Sequence, residues 1–582
     1  MKISDIHNNN LIFIDNTEII KKKKISTKNS IIFIFIGDED PEKKIFNFYN
    51  LFDPNIHKYF VNKSPSISEK FYDELNIGFA LRNNLTRMLY GQIGLYPFFH
   101  VINKLLINKN KLNVYTEDEK IFNIFSVIKK FTKINLTYEP KNKRATYFKI
   151  SKLDLLRMYS FDEILFHIKK KFSSKFKKFE NLKKNVFVHL STEANFLSID
   201  RFLNKNWQSK ILEVNIKLDE ELNSQDFNSL NKILAVNNFI IKKFFHDNFY
   251  FNEFTNNEIK VFFKKYIKNY KVISNIFCNL NSNFYFLTKI IRGPILTSLY
   301  DFGKKEKKNF FWLSHQHGHG IELSEVHSKT QITKEETLSD LLFVYSPVGK
   351  KIKEQNKYIK KNIKIFNVGF NNNKYNFNKL PKYDLIYISN LNQEISSHPL
   401  NMSALNNSEK IEFETKLINE VFSKIKLKVL FKEYTGSKTT NIKNNFFRTL
   451  ISKYNNISYF DEWLNAENIY ENSSIILTSL PTSGLGGAIC SKKPIIFIDI
   501  KNIMPLKENL IGLFKDKFFY FELNENIFEE LRELLSNSVE DIQKLWVKKN
   551  MSKSDFEKNY INPLPRNRIL NSLKKEITKF VV

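Results

Sequence analysis

The stretch SIILTSLPTSGLGGAICSKKPIIFIDI, residues 474–500, decides the fold. A short apolar run, Ile475 to Leu477, meets a group of hydroxyl residues. Glycines then open a helical segment, and Lys493-Pro494 leads directly into a second buried run. Strand, turn, helix and strand in this order form a βαβ unit, and strands joined through a helix run parallel. Thr478, Ser479, Thr482 and Ser483 offer hydroxyl donors at the turn, and Gly484, Gly486 and Gly487 let a ligand approach the backbone. The N-terminus of the following helix carries free N–H groups and a positive dipole end, which suit a diphosphate or a nucleotide monophosphate leaving group. The Gly-Lys-Ser/Thr ending of a Walker A loop and the GxGxxG spacing of a dinucleotide fingerprint are both missing. A Ser/Thr-capped helix whose glycines serve close helix–sheet packing is the alternative left open.

The same alternation extends in both directions. Downstream of an Asn-rich segment, NNNKYNFNKLPKY (371–383), come the strand YDLIYISNLN, a helix around SEKIEFETKLINEVFSKI, the strand LKVLFKEYTG, a helix in TNIKNNFFRTLISKY, the strand ISYFD, a helix in EWLNAENIYENS, and beyond the glycine turn the strands PIIFIDI and KFFYFEL. Upstream, NFFWLSHQHGHG reads as a strand and loop, LLFVYSPVGKKIKEQNKYIKK as a strand and helix, and GPILTSLYDFGKKEKK as a further strand and helix. SIIFIFIGDED (30–40), KLNVYTEDEK (111–120) and NVFVHLSTEANF (185–196) read as earlier strands, and 200–290 is helical in pattern. The expected fold class is α/β, with two Rossmann-like doubly wound domains facing a cleft and helical additions. The Asn-rich segment is the best linker. It divides an N-terminal domain, 1–375, with a helical insertion at about 200–290, from a C-terminal domain, 376–582.

A chain of 582 residues with 42% hydrophobic and 15% aromatic content can bury more than one core. Two cysteines, Cys278 and Cys490, cannot make a disulfide framework or a thiolate zinc cluster, and fit a reducing, cytoplasmic setting. No signal peptide and no apolar run long enough to span a membrane is read. The net charge of +30 has two readings that stay open. One is an anionic partner; the other is a genome rich in adenine and thymine, which favours Lys, Asn, Ile, Phe and Tyr. The Phe-among-Lys stretch HIKKKFSSKFKKFENLKK (167–184) is expected to be an amphipathic helix docked on the sheet, or one that lies on anionic lipid.

The candidate chemistry gathers in FFWLSHQHGHGIELSEVH, residues 310–327, which holds four of the eleven histidines. His315, His317 and His319 alternate at the end of a strand, and Gly318 and Gly320 leave room beside them. An imidazole titrates near neutrality and can accept a hydroxyl proton. The alternation also permits a His-x-His metal pair, but no carboxylate or Cys set accompanies it, and no metal site is expected. Lys432 and Glu433 close the second strand of the C-terminal domain, where Lys432 can neutralise phosphate. Gly37 and Asp38 close the first strand of the chain, and RNNLTRMLYGQIGLYPFF (82–99) offers a weaker loop candidate.

The pattern TS-PTSGLGGAI, helix, KPIIFID, together with HQHGHG after a strand, resembles GT-B glycosyltransferases, in particular the bacterial surface-polysaccharide and teichoic-acid-type transferases. The resemblance covers about 290–500. Two departures stand out: Gly487 occupies the place where the family's helix often carries a glutamate, and FKEYTG (431–436) stands where a His-Pro element is usual. The resemblance implies a metal-independent transferase with no bound cofactor, using a CMP- or UDP-linked sugar donor and a surface polysaccharide or lipid-linked glycan acceptor. It implies His317 as the general base on the acceptor hydroxyl or as a contact to the donor phosphate. Taken with the chemistry above, the expected catalytic residues are His317 and His315; the donor-binding residues Gln316, Gly318, Lys432, Glu433, Ser479, Thr482, Ser483 and Gly484; and the acceptor-side residues Gly37, Asp38 and His319. The resemblance further implies a cytoplasmic enzyme, peripheral at the inner face of the membrane. Rival readings are a CDP-glycerol-type polyol-phosphate transferase, an epimerase of the same architecture using Glu322 and Glu325, and a basic nucleic-acid-binding protein, for which no recognised motif is present.

Overall fold

The computed structural model describes residues 9–14, 29–34, 40–51, 75–139, 182–190, 207–211, 222–288, 291–325, 335–356, 362–371, 380–389, 407–433, 445–460, 469–501, 505–550 and 555–581, with a few isolated positions such as 6 and 72; positions 94, 109, 118, 247, 317, 480 and 482 within those spans are excluded. Apolar strands joined by helices assemble into three parallel sheets. The first comprises β1 (Asn10–Ile14), β2 (Ser30–Ile34), β3 (Ile45–Asn47), β4 (Lys111–Thr116) and β5 (Asn135–Tyr138) in the order β3-β2-β1-β4-β5. The second holds β6 (Asn185–His189), β7 (Trp207–Ile211), β8 (Asn283–Thr288), β9 (Phe310–His315), β10 (Leu341–Val344) and β11 (Lys364–Asn367), ordered β11-β10-β9-β8-β6-β7. A two-residue strand, β12 (Phe370–Asn371), precedes the third sheet. That sheet holds β13 (Tyr383–Ile388), β14 (Val429–Lys432), β15 (Ile457–Tyr459), β16 (Ser473–Thr478), β17 (Ile495–Asp499) and β18 (Phe519–Glu522), ordered β15-β14-β13-β16-β17-β18. Numbered within its own unit, the third sheet reads 3-2-1-4-5-6, the doubly wound order, with its reversal between β13 and β16.

Both faces of each sheet are covered, which is why strands such as β16 and β17 are buried along their full length. On the third sheet, one face packs Leu385, Tyr387, Ile475 and Leu477 and the other Ile386, Ile476, Leu485 and Phe497. The alternation along β13 and β16 sends successive side chains to opposite faces.

Residues 1–375, expected as one unit, carry two sheets that share no hydrogen-bonded strand pair. The two sheets are interlocked along the chain. The helices Ser224–Phe244 and Phe249–Phe277 arise between β7 and β8 of the second sheet, yet Ile233, Ile240, Phe251 and Phe263 bury themselves in the core of the first. The longer helix then continues to the second sheet, where Ile273 and Phe277 join Val186, Phe284 and Trp312. The last helix, Arg566–Val581, lies within the expected C-terminal domain but packs Ile569, Leu573 and Ile577 on Phe187, Leu313 and Phe343 of the second sheet.

The chain therefore crosses between the second and third sheets twice, and the crossings meet. β12 pairs with β19 (Pro563–Leu564), and the Asn562 carbonyl accepts from the Phe370 amide. Gly369 takes φ +88° at this point, and a Cβ there would stand 2.5 Å from Leu564 Cδ1. Two local readings change. GPILTSLYDFGKK is wholly helix, Gly293–Lys305, and the strand assigned to it is β8, ten residues upstream in sequence. Residues 82–99, read as a loop, belong to the helices Phe79–Ile93 and Tyr96–Ile107. Residues 167–181 lie outside the described residues.

Candidate functional site

Open parallel sheets bind ligands beyond the C-terminal ends of their strands, at the point where the strand order reverses. In the third sheet the register aligns those ends: Ile388 pairs with Lys432 on one side and Thr478 on the other. Ser389, Lys432, Glu433, Thr478 and Ser479 thus form one buried polar row across β14, β13 and β16. Lys432 and Thr478 stand two strands apart, roughly 10 Å. The Lys432 Nζ donates to the Glu433 carbonyl at 3.1 Å and lies 5.4 Å from the centre of the Phe460 ring. Glu433 accepts from the Tyr459 hydroxyl at 2.6 Å. Ser479 hydrogen-bonds the Tyr387 hydroxyl, which donates to Glu414 at 2.9 Å and is pushed far above its ordinary pKa by burial and by that carboxylate.

Helix Ser483–Cys490 leaves the same edge, with Gly484, Gly486 and Gly487 in its first turns. The Gly484 carbonyl accepts from the Tyr470 hydroxyl at 2.8 Å. Among the expected donor-side residues, Thr482 and the Ser483 side chain lie outside the described residues, as do Gly37 and Asp38 on the acceptor side.

The histidine segment leaves the C-terminal end of β9. His315 is fully buried, its Nδ1 3.0 Å from the Gln316 carbonyl and its ring edge-on to Tyr345. Gln316 is a clamp. Its Nε2 donates to the Gly318 carbonyl at 2.7 Å and to Glu322 Oε1 at 2.6 Å, while its Oε1 accepts from the Tyr345 amide at 3.2 Å. The backbone on both sides of position 317 is thereby fixed, although His317 itself lies outside the described residues. Glu322 is buried against Ser346 and Gly349, where a Cβ on Gly349 would stand 2.3 Å from its Oε1. Burial raises its pKa to about 7, against the opposing hydrogen bond from Gln316.

His319 sits at the joint of the molecule. Its ring stacks on Tyr345 with centroids 4.7 Å apart and meets Phe370 edge-on at 4.8 Å. Helix Ser483–Cys490 closes the remaining side, since a Cβ on Gly486 would lie 2.7 Å from His319 Nδ1. Burial lowers the imidazole pKa to about 3, opposed only by the Ile561 backbone, so the ring is neutral. His319, expected on the acceptor side, is thus enclosed within this joint.

The approach of the two edges is fixed further along. Ser324 bridges Leu506, the Leu323 carbonyl accepts from the Lys507 amide at 3.0 Å, and Lys507 Nζ donates to the Ile321 carbonyl at 2.6 Å. The histidine loop of the second sheet and the glycine turn of the third are therefore in contact. The sequence leads one to expect these two segments to face each other across a cleft; the structure brings them into direct contact through His319 and Gly486. Sequence reasoning missed Ser389, whose only signal was its place as the first buried polar residue after the run Leu385–Ile388, and Lys507, which has no local signal at all.

Among the described residues, no group of three or more His, Cys, Asp or Glu is placed to hold a metal ion, and no helix is long and apolar enough to cross a membrane. Cys278 is exposed and Cys490 buried, neither in a disulfide.

No family model and no curated protein matches the chain. Solved structures do. The chain is similar to the MnaA–UDP complex of S. aureus, at 13% identity and a TM-score of 0.37, over 68% of this chain and 97% of that one. It is similar to a UDP-glucosyltransferase of Polygonum tinctorium capable of glucosylating indoxyl and 3,4-dichloroaniline, at 9% identity and a TM-score of 0.32, over 68% and 98% of the two chains. A third is Anabaena HepE in complex with UDP and glucose, at 10% identity and a TM-score of 0.33, over 54% and 82%.

Proposed function

We propose that the chain is a GT-B glycosyltransferase that moves a sugar from a CMP- or UDP-linked donor to a surface polysaccharide or lipid-linked glycan at the cytoplasmic face of a membrane. The observation that carries this reading is the contact between His319, on the loop leaving the second sheet, and Gly486, in the first turn of the helix leaving the third. That contact sets the ligand-binding edges of two doubly wound sheets face to face.

On this reading the donor nucleotide lies along the row Ser389, Lys432 and Thr478, at the reversal between β13 and β16. Its phosphates meet the N–H groups of helix Ser483–Cys490, and Lys432 balances the charge that grows on the leaving phosphate. His317 takes the acceptor proton as the hydroxyl attacks the anomeric carbon, with His315 behind it and Gln316 holding the loop. Helix dipole and lysine together provide what a metal provides in other transferases.

Titration calorimetry with CMP, CDP, UDP and GDP tests the donor side. Binding of one nucleotide in the micromolar range, weakened at least tenfold by Lys432→Ala, is expected. Transfer of label from the matching nucleotide sugar should fall at least 100-fold in His317→Ala while nucleotide affinity holds. Normal turnover by that variant removes the catalytic assignment, and CMP as the tightest ligand with label transferred from CDP-glycerol, and from no CMP- or UDP-linked sugar, redirects the reading to a polyol-phosphate transferase, whose leaving group is CMP.

A further inference from the structure

In a parallel sheet every helix-to-strand turn lies at the edge opposite the ligand-binding one. At that edge of the first sheet, helix Tyr96–Ile107 ends before β4 and helix Glu119–Lys129 ends before β5. Both turns expose apolar side chains: Ile107 is 69% and Phe131 47% accessible. Phe249, 50% accessible, opens the long helix Phe249–Phe277, and its ring meets that of Phe131 edge-on with centroids 4.7 Å apart. The start of the long helix therefore lies at the same edge.

Around these tips Lys104, Lys111, Lys129, Lys130 and Lys133 are exposed. The nearest described carboxylates on the long helix, Glu253 and Glu258, are partly buried, one turn and more from its tip. Exposed apolar tips flanked by exposed lysines are the composition of a surface that lies in a lipid headgroup layer, with cations at the phosphates and rings at the acyl boundary.

We propose that this edge of the first sheet is a docking surface for an anionic lipid bilayer, with Phe131, Phe249 and Ile107 entering the interface. A second copy of the chain fits less well, because it would set five lysines against five. A single-stranded nucleic acid fits less well because the two rings engage each other instead of standing apart as stacking platforms. The surface includes none of the residues proposed to hold the donor, so its test does not depend on the transferase reading.

The test is flotation of the full chain with phosphatidylcholine vesicles, with and without phosphatidylglycerol. Wild type should float with the anionic vesicles only, and less as salt rises. Each lysine at such a surface contributes a factor of about 5, so Lys129→Gln, Lys130→Gln and Lys133→Gln together should weaken binding on the order of 100-fold. Phe131→Ser with Phe249→Ser should abolish flotation while the circular-dichroism melt is retained. A charge-matched control on the third unit, Lys424→Gln, Lys426→Gln and Lys428→Gln, also at exposed positions, should bind like wild type. Absence of wild-type flotation, equal loss in the control, or undiminished binding by the double Phe variant each overturns the proposal; in the second case net charge alone drives the association.

Discussion

At the scale of single residues, the joint between the second and third sheets rests on a glycine and an imidazole. Gly486→Ala in an exposed helix would gain up to about 1 kcal/mol in propensity. Here its methyl would stand 2.7 Å from His319 Nδ1, on a ring already held between Tyr345 and Phe370. Overpacking of this kind costs about 1–3 kcal/mol, so the substitution should destabilise the protein and, on the proposed function, weaken nucleotide binding. Pairing it with His319→Ala should give a loss smaller than the sum of the two single losses, measured by urea denaturation as a double-mutant cycle. Two buried groups here titrate in opposite directions. Glu322 holds its proton to about pH 7 in the folded chain, whereas the unfolded chain releases it near 4.5. Stability from this group therefore falls as pH rises through that window. His319 is the reverse: its pKa drops from 6.5 to about 3, so stability is present above pH 6.5 and is lost as pH falls below it. Comparing Glu322→Gln with wild type isolates the first. The variant should gain on wild type by about 1.4 kcal/mol per pH unit between roughly 4.5 and 7, read from urea midpoints.

At the scale of elements, the first and second sheets are joined by a helix cap supplied from a distance. Asp301, buried on helix Gly293–Lys305, accepts from the amides of Ala80 at 2.8 Å and Leu81 at 3.0 Å, the orphan donors that open helix Phe79–Ile93. The Tyr266 hydroxyl adds a third hydrogen bond, and a Cβ on Gly78 would fall 2.1 Å from the carboxylate. Asp301→Asn keeps the shape but loses an acceptor, so it should cost about 1–2 kcal/mol and lower hydrogen-exchange protection first in residues 80–84. No sequence rule finds such a cap, since the carboxylate lies more than two hundred positions from the amides it serves. Strands were more legible. β13, β14, β16, β17 and β18 were visible because each is a short apolar run bounded by polar turns, and the glycine turn after β16 pointed to the candidate edge. β8 was hidden because NFYFLT falls inside 200–290, where the helical pattern of the preceding long helix dominates despite the polar break CNLNS (278–282), and β1 because NLIFI is only five residues long. The site was legible as two segments. That they touch through His319 and Gly486, while Ser389 and Lys507 complete the edges, follows from tertiary packing alone.

At the scale of the whole molecule, the long helix and the last helix decide how the units hold together. Helix Phe249–Phe277 extends about 43 Å and buries one end in the first core and the other in the second, so these two units move as a pair. Helix Arg566–Val581 covers the open face of the second sheet. Leu573→Ala on it should cost about 2–5 kcal/mol, and native-state proteolysis should then cut first in the second unit and not in the third, to which the residue is nearer in sequence. Because both crossings lie side by side at Gly369 and Asn562, the third unit is threaded through the second as a loop. This has a consequence during synthesis. A ribosome delivers β6 to β11 long before it delivers the segment that shields them, so Phe187, Leu313 and Phe343 must wait, wet, while the entire third unit is translated and closes upon itself. The nascent protein thus completes its second unit last, after the third has closed, and chaperone demand should peak in the interval before residues 566–581 emerge.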